Sequence, residues 1–329
     1  GAPKQLTSGN GVELSPRLSA GGYLSYVSDN RDHDAPQVMI RSPKGDVRPL
    51  LSLNPQLAKR NQAMWQRFVP SQTIAVRTAD GLIGHHIVIE PATPAPPGGY
   101  PVIVNAHGGP ASVVRPGGEY AFAFGQYAAS RGYLFVDINY RGSASFGLNY
   151  RLPDGQGAMG ASEVNDLIAL VRYLKSRGDV NPKRVGVMGG SYGGHIVGLA
   201  MSRLPDDFAA GVSLFGVADW VVERKKDQEE EGDSRDPMHY LRLSERARIE
   251  DLAFASSPSA HIERWRGPTL FTIGDLDKNG HVESVTDLSY RLLERGVPVE
   301  IYVDPAGGHN VFPQQRVFEF FERYLNNVR

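Results

Sequence analysis

From about residue 101 onward, short apolar runs alternate with longer amphipathic segments, and this alternation constrains the fold more than any other feature. The apolar runs, rich in β-branched and aromatic residues, are predicted strands at 101–106, 133–139, 184–188, 210–214, 268–273 and 299–303. Helical patterns fall near 119–131, 161–177, 192–203, 281–296 and 313–327. Such alternation predicts an α/β fold with a mostly parallel sheet flanked by helices. Functional side chains are then expected at the carboxyl ends of the strands.

The first part of the chain follows a different pattern. Residues 1–55 contain short alternating runs separated by turn signals, which predicts a small antiparallel β segment. Residues 56–70 are predicted to form a partly helical connector. Two antiparallel strands at 73–77 and 83–90 then open the α/β domain, which is assigned to 71–329. With 41% apolar residues, a chain of 329 residues can bury a substantial core in this arrangement.

Residues 189–193 (GGSYG) match the G-x-S-x-G nucleophile elbow. The motif alone is weak evidence, because glycine is common and a glycine-rich turn can match it by chance. Here it follows a valine-rich predicted strand and precedes a predicted helix, which is the order that the elbow requires. Small residues on both sides allow a strained turn that lifts the Ser191 hydroxyl above the sheet. The sequence therefore predicts a serine hydrolase with Ser191 as the nucleophile.

A serine nucleophile needs a base, and the base needs an orienting acid. In this fold class the acid follows the serine in the chain, and the histidine follows the acid. His309 comes directly after the last predicted strand and before the last predicted helix, so it is the predicted base. The loop after the strand at 268–273 contains two candidate acids, Asp275 and Asp277, and spacing alone does not choose between them.

The negative charge that forms during acyl transfer needs backbone N–H donors that are already in place. Tyr192 directly follows the nucleophile and is the first predicted donor. The loop at 107–110 (HGGP) follows an early strand, and its glycines let the backbone approach a substrate. This loop is therefore predicted to supply the second donor. An ordinary Gly-Pro turn would explain this loop if it stood by itself. The glycine loop, the serine elbow, the acid loop and the histidine loop, however, follow one another in the order that a hydrolase site requires, which indicates one site.

Composition narrows the partners and the chemistry. A net charge of -1 gives no reason to expect binding to nucleic acid or an anionic membrane, and no run approaches a membrane span of about 18 apolar residues. The absence of cysteine excludes disulfides, thiol nucleophiles and cysteine-ligated metals. The predicted chemistry needs no cofactor and no metal. The expected partner is a peptide or a small acyl substrate, and the sequence does not decide whether the chain forms a homo-oligomer.

The start at Gly1 resembles a processed or trimmed terminus, which fits a cytoplasmic or an exported protein.

Five motifs together resemble the prolyl oligopeptidase family of serine peptidases, in particular its acylaminoacyl-peptidase and dipeptidyl-peptidase branches, across about residues 70 to 329. They are HGGP at 107–110, NYRGS at 139–143 with FG at 146–147, GGSYGG at 189–194, GVADW at 216–220 and GGH at 307–309. The resemblance implies that the triad acid is Asp277, at the end of a G-x-x-D loop, and that the second oxyanion donor is the N–H of Gly109. It also implies that Asn279 binds a substrate carbonyl, although many relatives carry arginine there.

The resemblance also bears on the first part of the chain. Family members carry a multi-bladed β-propeller before the catalytic domain, and residues 5–51 resemble one blade. One blade cannot close a propeller, so the active site is expected to be more open than in the family. This holds whether the chain is a trimmed product or a natural short form.

The predicted function is hydrolysis of peptide or acyl-amide bonds through an acyl-enzyme on Ser191. A carboxylesterase that uses the same triad is the alternative, and a binding module with a vestigial site is a remote one. Trp220, Phe146 and Phe215 are the candidates for an apolar substrate pocket near the elbow. The charged segment 223–236 is predicted to be a solvated loop, with a lid over the site as the alternative.

Overall fold

The computed structural model describes residues 2, 4–7, 12–29, 36–52, 56, 67–116, 120–152, 162–231, 249–279 and 281–326. Its strands are β1 (Val12–Leu18), β2 (Leu24–Asp29), β3 (Gln37–Arg41), β4 (Val47–Ser52), β5 (Ser71–Arg77), β6 (Ile83–Ile89), β7 (Tyr100–Ala106), β8 (Leu134–Ile138), β9 (Val180–Gly190), β10 (Ala210–Leu214), β11 (Thr269–Gly274) and β12 (Val299–Asp304). Its helices are α1 (Tyr120–Ser130), α2 (Leu148–Arg151), α3 (Val164–Ser176), α4 (Tyr192–Arg203), α5 (Trp220–Glu231), α6 (Ile249–Ala255), α7 (His281–Glu294) and α8 (Gln314–Asn326), with a 3-10 helix at Pro258–Arg264.

Eight of these strands form one sheet in the order β12-β11-β10-β9-β7-β8-β6-β5. The strands from β12 to β8 in that order pair in parallel, and β6 and β5 are added antiparallel at one edge. The predicted α/β fold with a mostly parallel sheet is confirmed. The carboxyl ends of β7, β9, β10, β11 and β12 therefore meet at one edge of the sheet.

The central strands are apolar on both faces because helices cover both faces. In β7, Val102 and Val104 belong to the hydrophobic cluster that also contains Ile196 of α4, whereas Ile103 lies between them and belongs to the opposite cluster with Phe321 of α8. This alternation follows from the two-residue period of a strand. Helices α3, α4 and α7 contribute to the first cluster, and α1 and α8 to the second.

Strands β1 to β4 form a separate four-stranded antiparallel sheet. This agrees with the predicted N-terminal β segment. The division at residues 55 and 70 stays a prediction, and most of the predicted connector, 57–66, lies outside the described residues. Across the described ranges, no helix is long and apolar enough to cross a membrane. Within the same ranges, no three His, Cys, Asp or Glu side chains are grouped so that they could hold a metal ion.

The charged segment 223–236 is predicted from the sequence to be a loop, and this prediction is wrong for its first part. Helix α5 includes the segment up to residue 231. Asp219 begins this helix, since its Oδ1 accepts the backbone N–H of Val221 at 2.9 Å. Glutamate, lysine and glutamine are also good helix formers, so a dense charge pattern does not exclude a helix. Residues 232–236 lie outside the described residues.

Candidate active site

The predicted elbow forms where β9 ends and the chain turns at Ser191 into α4. Ser191 has φ 57° and ψ -123°, a backbone conformation that L side chains rarely adopt. A Cβ on Gly189 or Gly193 would lie only 2.6 Å or 2.0 Å from the carbonyl oxygen of Ala106 in β7. The glycine spacing therefore lets α4 pack directly against β7 and holds the strained serine at the edge of the sheet.

Three side chains from different strand ends form a chain of hydrogen bonds at this edge. His309 Nε2 lies 2.9 Å from Ser191 Oγ, and His309 Nδ1 lies 2.9 Å from Asp277 Oδ2. With the proton assigned to Nδ1, the imidazole donates to the carboxylate and accepts the serine proton through Nε2. This is the geometry that a nucleophile, a base and an orienting acid require.

The two candidate acids of the same loop occupy different surroundings. Asp277 is 8% exposed, and its Oδ1 also accepts the backbone N–H of Asn279 at 2.9 Å. Asp275 is exposed, and the hydrogen bond to His309 comes from Asp277. The structure therefore brings Asp277, and not Asp275, to the imidazole.

Phe215 packs against the imidazole of His309. The two ring centroids are 4.8 Å apart at an interplanar angle of 64°, an edge-to-face contact. Phe215 follows β10 with φ 38°, a second strained residue beside Ser191. Its ring lies so close to Gly190 that a Cβ there would approach it to 2.8 Å. Phe215 thus packs against both the serine turn and the histidine.

The loop after β7 lies against the elbow. A Cβ on Gly108 would lie 3.1 Å from the carbonyl oxygen of Gly190, and Gly109 has φ 135°. Gly108 and Gly109 line the same cavity as Ser191, whereas Tyr192 begins α4 directly after the serine. The partial positive charge at the amino end of a helix favours an anion beside it. The two predicted oxyanion donors thus belong to residues near Ser191, one in the cavity lining and one next to it in the chain, and their role stays a prediction.

A buried polar network supports this loop from below. His107 Nε2 lies 2.8 Å from Ser143 Oγ, and Tyr140 donates its hydroxyl hydrogen to the carbonyl oxygen of His107 at 2.7 Å. The rings of His107 and Tyr140 also stack at 4.4 Å. Burial lowers the pKa of His107 to about 4, so this imidazole is neutral at neutral pH. The network fixes the strand end from which Gly108 and Gly109 project.

A cavity of about 470 Å³ opens beside the serine. Among the described residues, its lining comes from the ends of β7 to β10 and from the loops that follow them and β12: Asn105, Ala106, His107, Gly108, Gly109, Ser112, Val114, Asp137, Gly190, Ser191, Leu214, Phe215, His309 and Asn310. Most of this wall is apolar, and the chemistry-bearing side chains converge on it. Such a cavity can hold a small substrate group against the nucleophile.

Of the four candidates for substrate binding, Phe215 lines this cavity, whereas Trp220, Phe146 and Asn279 are not among the described residues that line it. Trp220 is 5% exposed, and its indole N–H donates to His195 Nε2 at 3.1 Å inside the core. Phe146 stacks on His85 with ring centroids 5.6 Å apart. Asn279 is exposed beside Asp277. Their role in substrate binding stays a prediction.

Asn105 and Asp137 are among the polar residues of the cavity that sequence reasoning missed. Both lie inside predicted buried strands, where only the apolar pattern was interpreted. The signal that could have found them is a carboxylate and an amide near the carboxyl ends of apolar strands. Such positions face either the core or the site, and a polar residue there favours the site.

Comparisons with known proteins identify the family of this chain. Residues 121–328, well over half of the chain, match the model of the prolyl oligopeptidase family. The acylamino-acid-releasing enzyme of Arabidopsis thaliana is 31% identical over 240 residues, which cover 69% of this chain and 29% of that protein. Dipeptidyl aminopeptidase BIII of Pseudoxanthomonas mexicana is 26% identical over 220 residues, which cover 64% of this chain and 30% of that protein.

The fold is also that of a solved relative. The acylaminoacyl peptidase of Pyrococcus horikoshii superimposes with a TM-score of 0.74 at 22% identity, over 98% of this chain and 51% of that one. This chain spans less than a third of the length of the Arabidopsis and Pseudoxanthomonas relatives. The match to the family model covers the elbow, the acid loop and the final histidine, which are the parts that carry the site. The chain belongs to the prolyl oligopeptidase family.

Proposed function

We propose that this chain is a serine hydrolase that cleaves peptide or acyl-amide bonds through an acyl-enzyme on Ser191. The observation that carries the proposal is the hydrogen-bonded series Ser191–His309–Asp277 at the mouth of an apolar cavity. Family membership supports it, since the sequence relatives include enzymes named as acylamino-acid-releasing and as dipeptidyl aminopeptidases. Amide substrates are therefore proposed ahead of esters.

In the first step, Ser191 Oγ attacks the carbonyl carbon of the substrate while its proton passes to His309 Nε2. The imidazolium that forms is stabilised by the Asp277 carboxylate at Nδ1. The carbonyl oxygen becomes an oxyanion, and the N–H groups of Gly109 and Tyr192 are its proposed donors. Gly109 lies in the loop that the buried hydrogen bonds of His107 support, and Tyr192 lies at the start of a helix. Donors that are in place before the charge develops need no rearrangement.

In the second half of the reaction, the tetrahedral intermediate collapses and the carbon–nitrogen bond breaks. The leaving amine takes the proton from His309 Nε2, which restores the neutral imidazole. A water molecule then gives its proton to His309 and attacks the acyl-enzyme. The acid product leaves, and the proton returns to Ser191 Oγ.

The first test is labelling by a fluorophosphonate, which reacts with an activated serine. The unaltered chain is expected to be labelled, and Ser191→Ala is expected to lose the label while keeping the same circular dichroism spectrum. A chain that folds but takes no label would contradict the proposal and favour a binding module.

The second test compares aminoacyl anilides with short-chain nitrophenyl esters at equal enzyme concentration. Anilide turnover that disappears in Ser191→Ala is the expected result. Fast ester turnover with no anilide turnover would replace the peptidase proposal by the carboxylesterase alternative.

A further inference from the structure

The side chain of Tyr192, which the proposed mechanism does not use, ties the start of α4 to the start of α3. Its phenol donates to Glu163 Oε1 at 2.6 Å, near the short end of the usual range for such hydrogen bonds. Glu163 directly precedes α3, is 0% exposed and accepts the hydroxyl of Ser162 at Oε2, 3.2 Å away. Its backbone carbonyl accepts the N–H of Asp166 at 3.0 Å, so the glutamate is anchored to α3.

The backbone before Tyr192 sets the direction of the N–H that the mechanism assigns to the oxyanion. The carbonyl oxygen of Ser191 accepts the N–H of His195 at 3.1 Å and therefore points into α4. The peptide bond between Ser191 and Tyr192 is trans, so the Tyr192 N–H points the opposite way, out of the helix start. Ser191 itself is strained, and a strained backbone persists only where the surrounding structure over-determines it. Contacts that fix Tyr192 therefore also fix this N–H.

The ring of Tyr192 also packs against the structure that supports the other proposed donor. Its centroid lies 5.9 Å from that of Tyr140, and Tyr140 stacks on His107 at 4.4 Å. His107 begins the loop that contains Gly109. A series of packed rings thus reaches from the start of α4 to the loop after β7, and Glu163 holds the phenol at one end of it.

The Glu163–Tyr192 hydrogen bond is an expensive way to fill a core. Burying a carboxyl group and a hydroxyl group has an unfavourable free energy that their hydrogen bond must offset. Apolar side chains of similar shape can fill such a place at little or no loss of stability. A buried polar contact of this kind, next to the proposed nucleophile, is where a functional requirement is expected to override packing.

We propose that Glu163 is a positioning residue for the hydrolysis. By holding the phenol of Tyr192, it keeps the N–H of Tyr192 directed at the oxyanion that forms when Ser191 attacks. Glu163 is not among the described residues that line the cavity, so it acts through Tyr192 and not on the substrate. This inference rests on the proposed function, because it explains how one donor of that same site is held.

The first test uses Tyr192→Phe, which removes the phenol hydroxyl and keeps the ring and the backbone N–H. Removing one oxyanion donor lowers kcat by about 10²- to 10³-fold, so a donor that is only displaced should lower it less, by about tenfold. KM for an aminoacyl anilide should stay nearly unchanged, because the donor acts in the transition state. Each kcat is divided by the number of sites that a fluorophosphonate labels at saturation, which corrects for any loss of folded protein. An unchanged kcat per labelled site would overturn the proposal.

The second test changes the acceptor. Glu163→Ala is expected to lower kcat per labelled site about as much as Tyr192→Phe does. Glu163→Gln keeps a carbonyl oxygen for the phenol and should stay within about threefold of the unaltered protein. Combining Glu163→Ala with Tyr192→Phe should lose no more than either change alone, because both break the same contact. Losses that multiply in the double variant, or a Glu163→Gln variant as slow as Glu163→Ala, would contradict the proposal.

Glu223→Ala is the matched control. Glu223 is also buried and accepts the hydroxyl of Ser284 at 2.6 Å, and neither residue is among the described residues of the cavity lining. This variant should keep kcat per labelled site. The same loss as in Glu163→Ala would mean that removing any buried glutamate slows turnover, and the proposal would fail.

A final measurement reports on the oxyanion directly. An aminoacyl trifluoromethyl ketone forms an adduct with Ser191 that carries an oxyanion, so Tyr192→Phe should weaken its binding by about the same factor as it lowers kcat/KM. Unchanged binding of the ketone would overturn the positioning role and leave the hydrolase intact, provided that the unaltered protein is labelled by the fluorophosphonate. A folded, unaltered protein that takes no label would instead overturn the proposed function.

Discussion

At the scale of single residues, the two carboxylates of the loop after β11 show how burial and contacts distinguish two candidates that spacing cannot. Asp277 is buried and accepts hydrogen bonds from His309 and from the backbone of Asn279, whereas Asp275 points to an exposed part of the loop. An acid that orients a base must be fixed and must keep its charge beside the imidazolium that forms. Of the two carboxylates, Asp277 is the one that is fixed against the imidazole.

We expect Asp277→Asn to lower kcat by about 10³- to 10⁴-fold, because an amide no longer holds the proton on Nδ1 and cannot stabilise the imidazolium. Asp275→Asn is expected to keep kcat close to that of the unaltered protein. Steady-state turnover of an aminoacyl anilide measures both. Equal losses in the two variants would show that Asp277 has no special role.

At the scale of elements, the turn from β9 to α4 was predictable because its determinants are local. A valine-rich strand, glycines two residues on each side of Ser191 and an apolar helix lie within a short stretch of the chain. The residues of the cavity were not predictable in the same way. Asp137 lines the cavity because β8 pairs with β7, and Trp220 is absent from the described lining because it packs on His195. Those outcomes depend on tertiary packing, which periodicity does not report.

The close approach of α4 to β7 predicts a large difference between two glycine substitutions. Gly193→Ala would place a Cβ 2.0 Å from the carbonyl oxygen of Ala106, and because backbone must move, the free energy of unfolding should fall by about 1–3 kcal/mol or more. Gly178→Ala is the control, because a Cβ there meets nothing within 4 Å and its φ is not positive. It should change stability by less than about 1 kcal/mol. Urea unfolding measures the free energy of unfolding of both variants. Similar losses in the two variants would contradict the close packing of α4 against β7.

At the scale of the whole molecule, the parallel sheet gathers the candidate site from distant parts of the chain. His309 lies 118 residues from Ser191 in sequence and 32 from Asp277, yet all three meet at one edge because each follows a parallel strand. Sequence order and strand–helix alternation were enough to predict this edge. They could not predict α6 and the 3-10 helix that follows it, because these depend on tertiary packing: the 3-10 helix packs against α4, and α6 packs against α5 and the 3-10 helix.

The same core also buries histidines that should make stability depend on pH. Burial lowers the pKa of His86 to about 3 and that of His107 to about 4, whereas an unfolded chain titrates histidine near its ordinary value of 6.5. Below that value the unfolded state binds more protons than the folded state. The free energy of unfolding should therefore fall as pH decreases from 6.5, by up to about 1.4 kcal/mol per pH unit for each of the two histidines.

His86→Phe should remove one of these two contributions. His86 is 1% exposed in β6, and its Nδ1 has no hydrogen-bond partner among the described residues, so an aromatic ring without a titrating nitrogen suits the site. Urea unfolding at pH 7.5, 6.0, 5.5 and 5.0 should show a shallower loss of stability in the variant, by up to about 1.4 kcal/mol per pH unit. Groups that titrate alike in both proteins cancel when the free energy of unfolding of the variant is subtracted from that of the unaltered protein. Above pH 7 this difference in free energy should be constant. Parallel curves for the two proteins down to pH 5 would mean that the folded state protonates His86 as readily as the unfolded chain does.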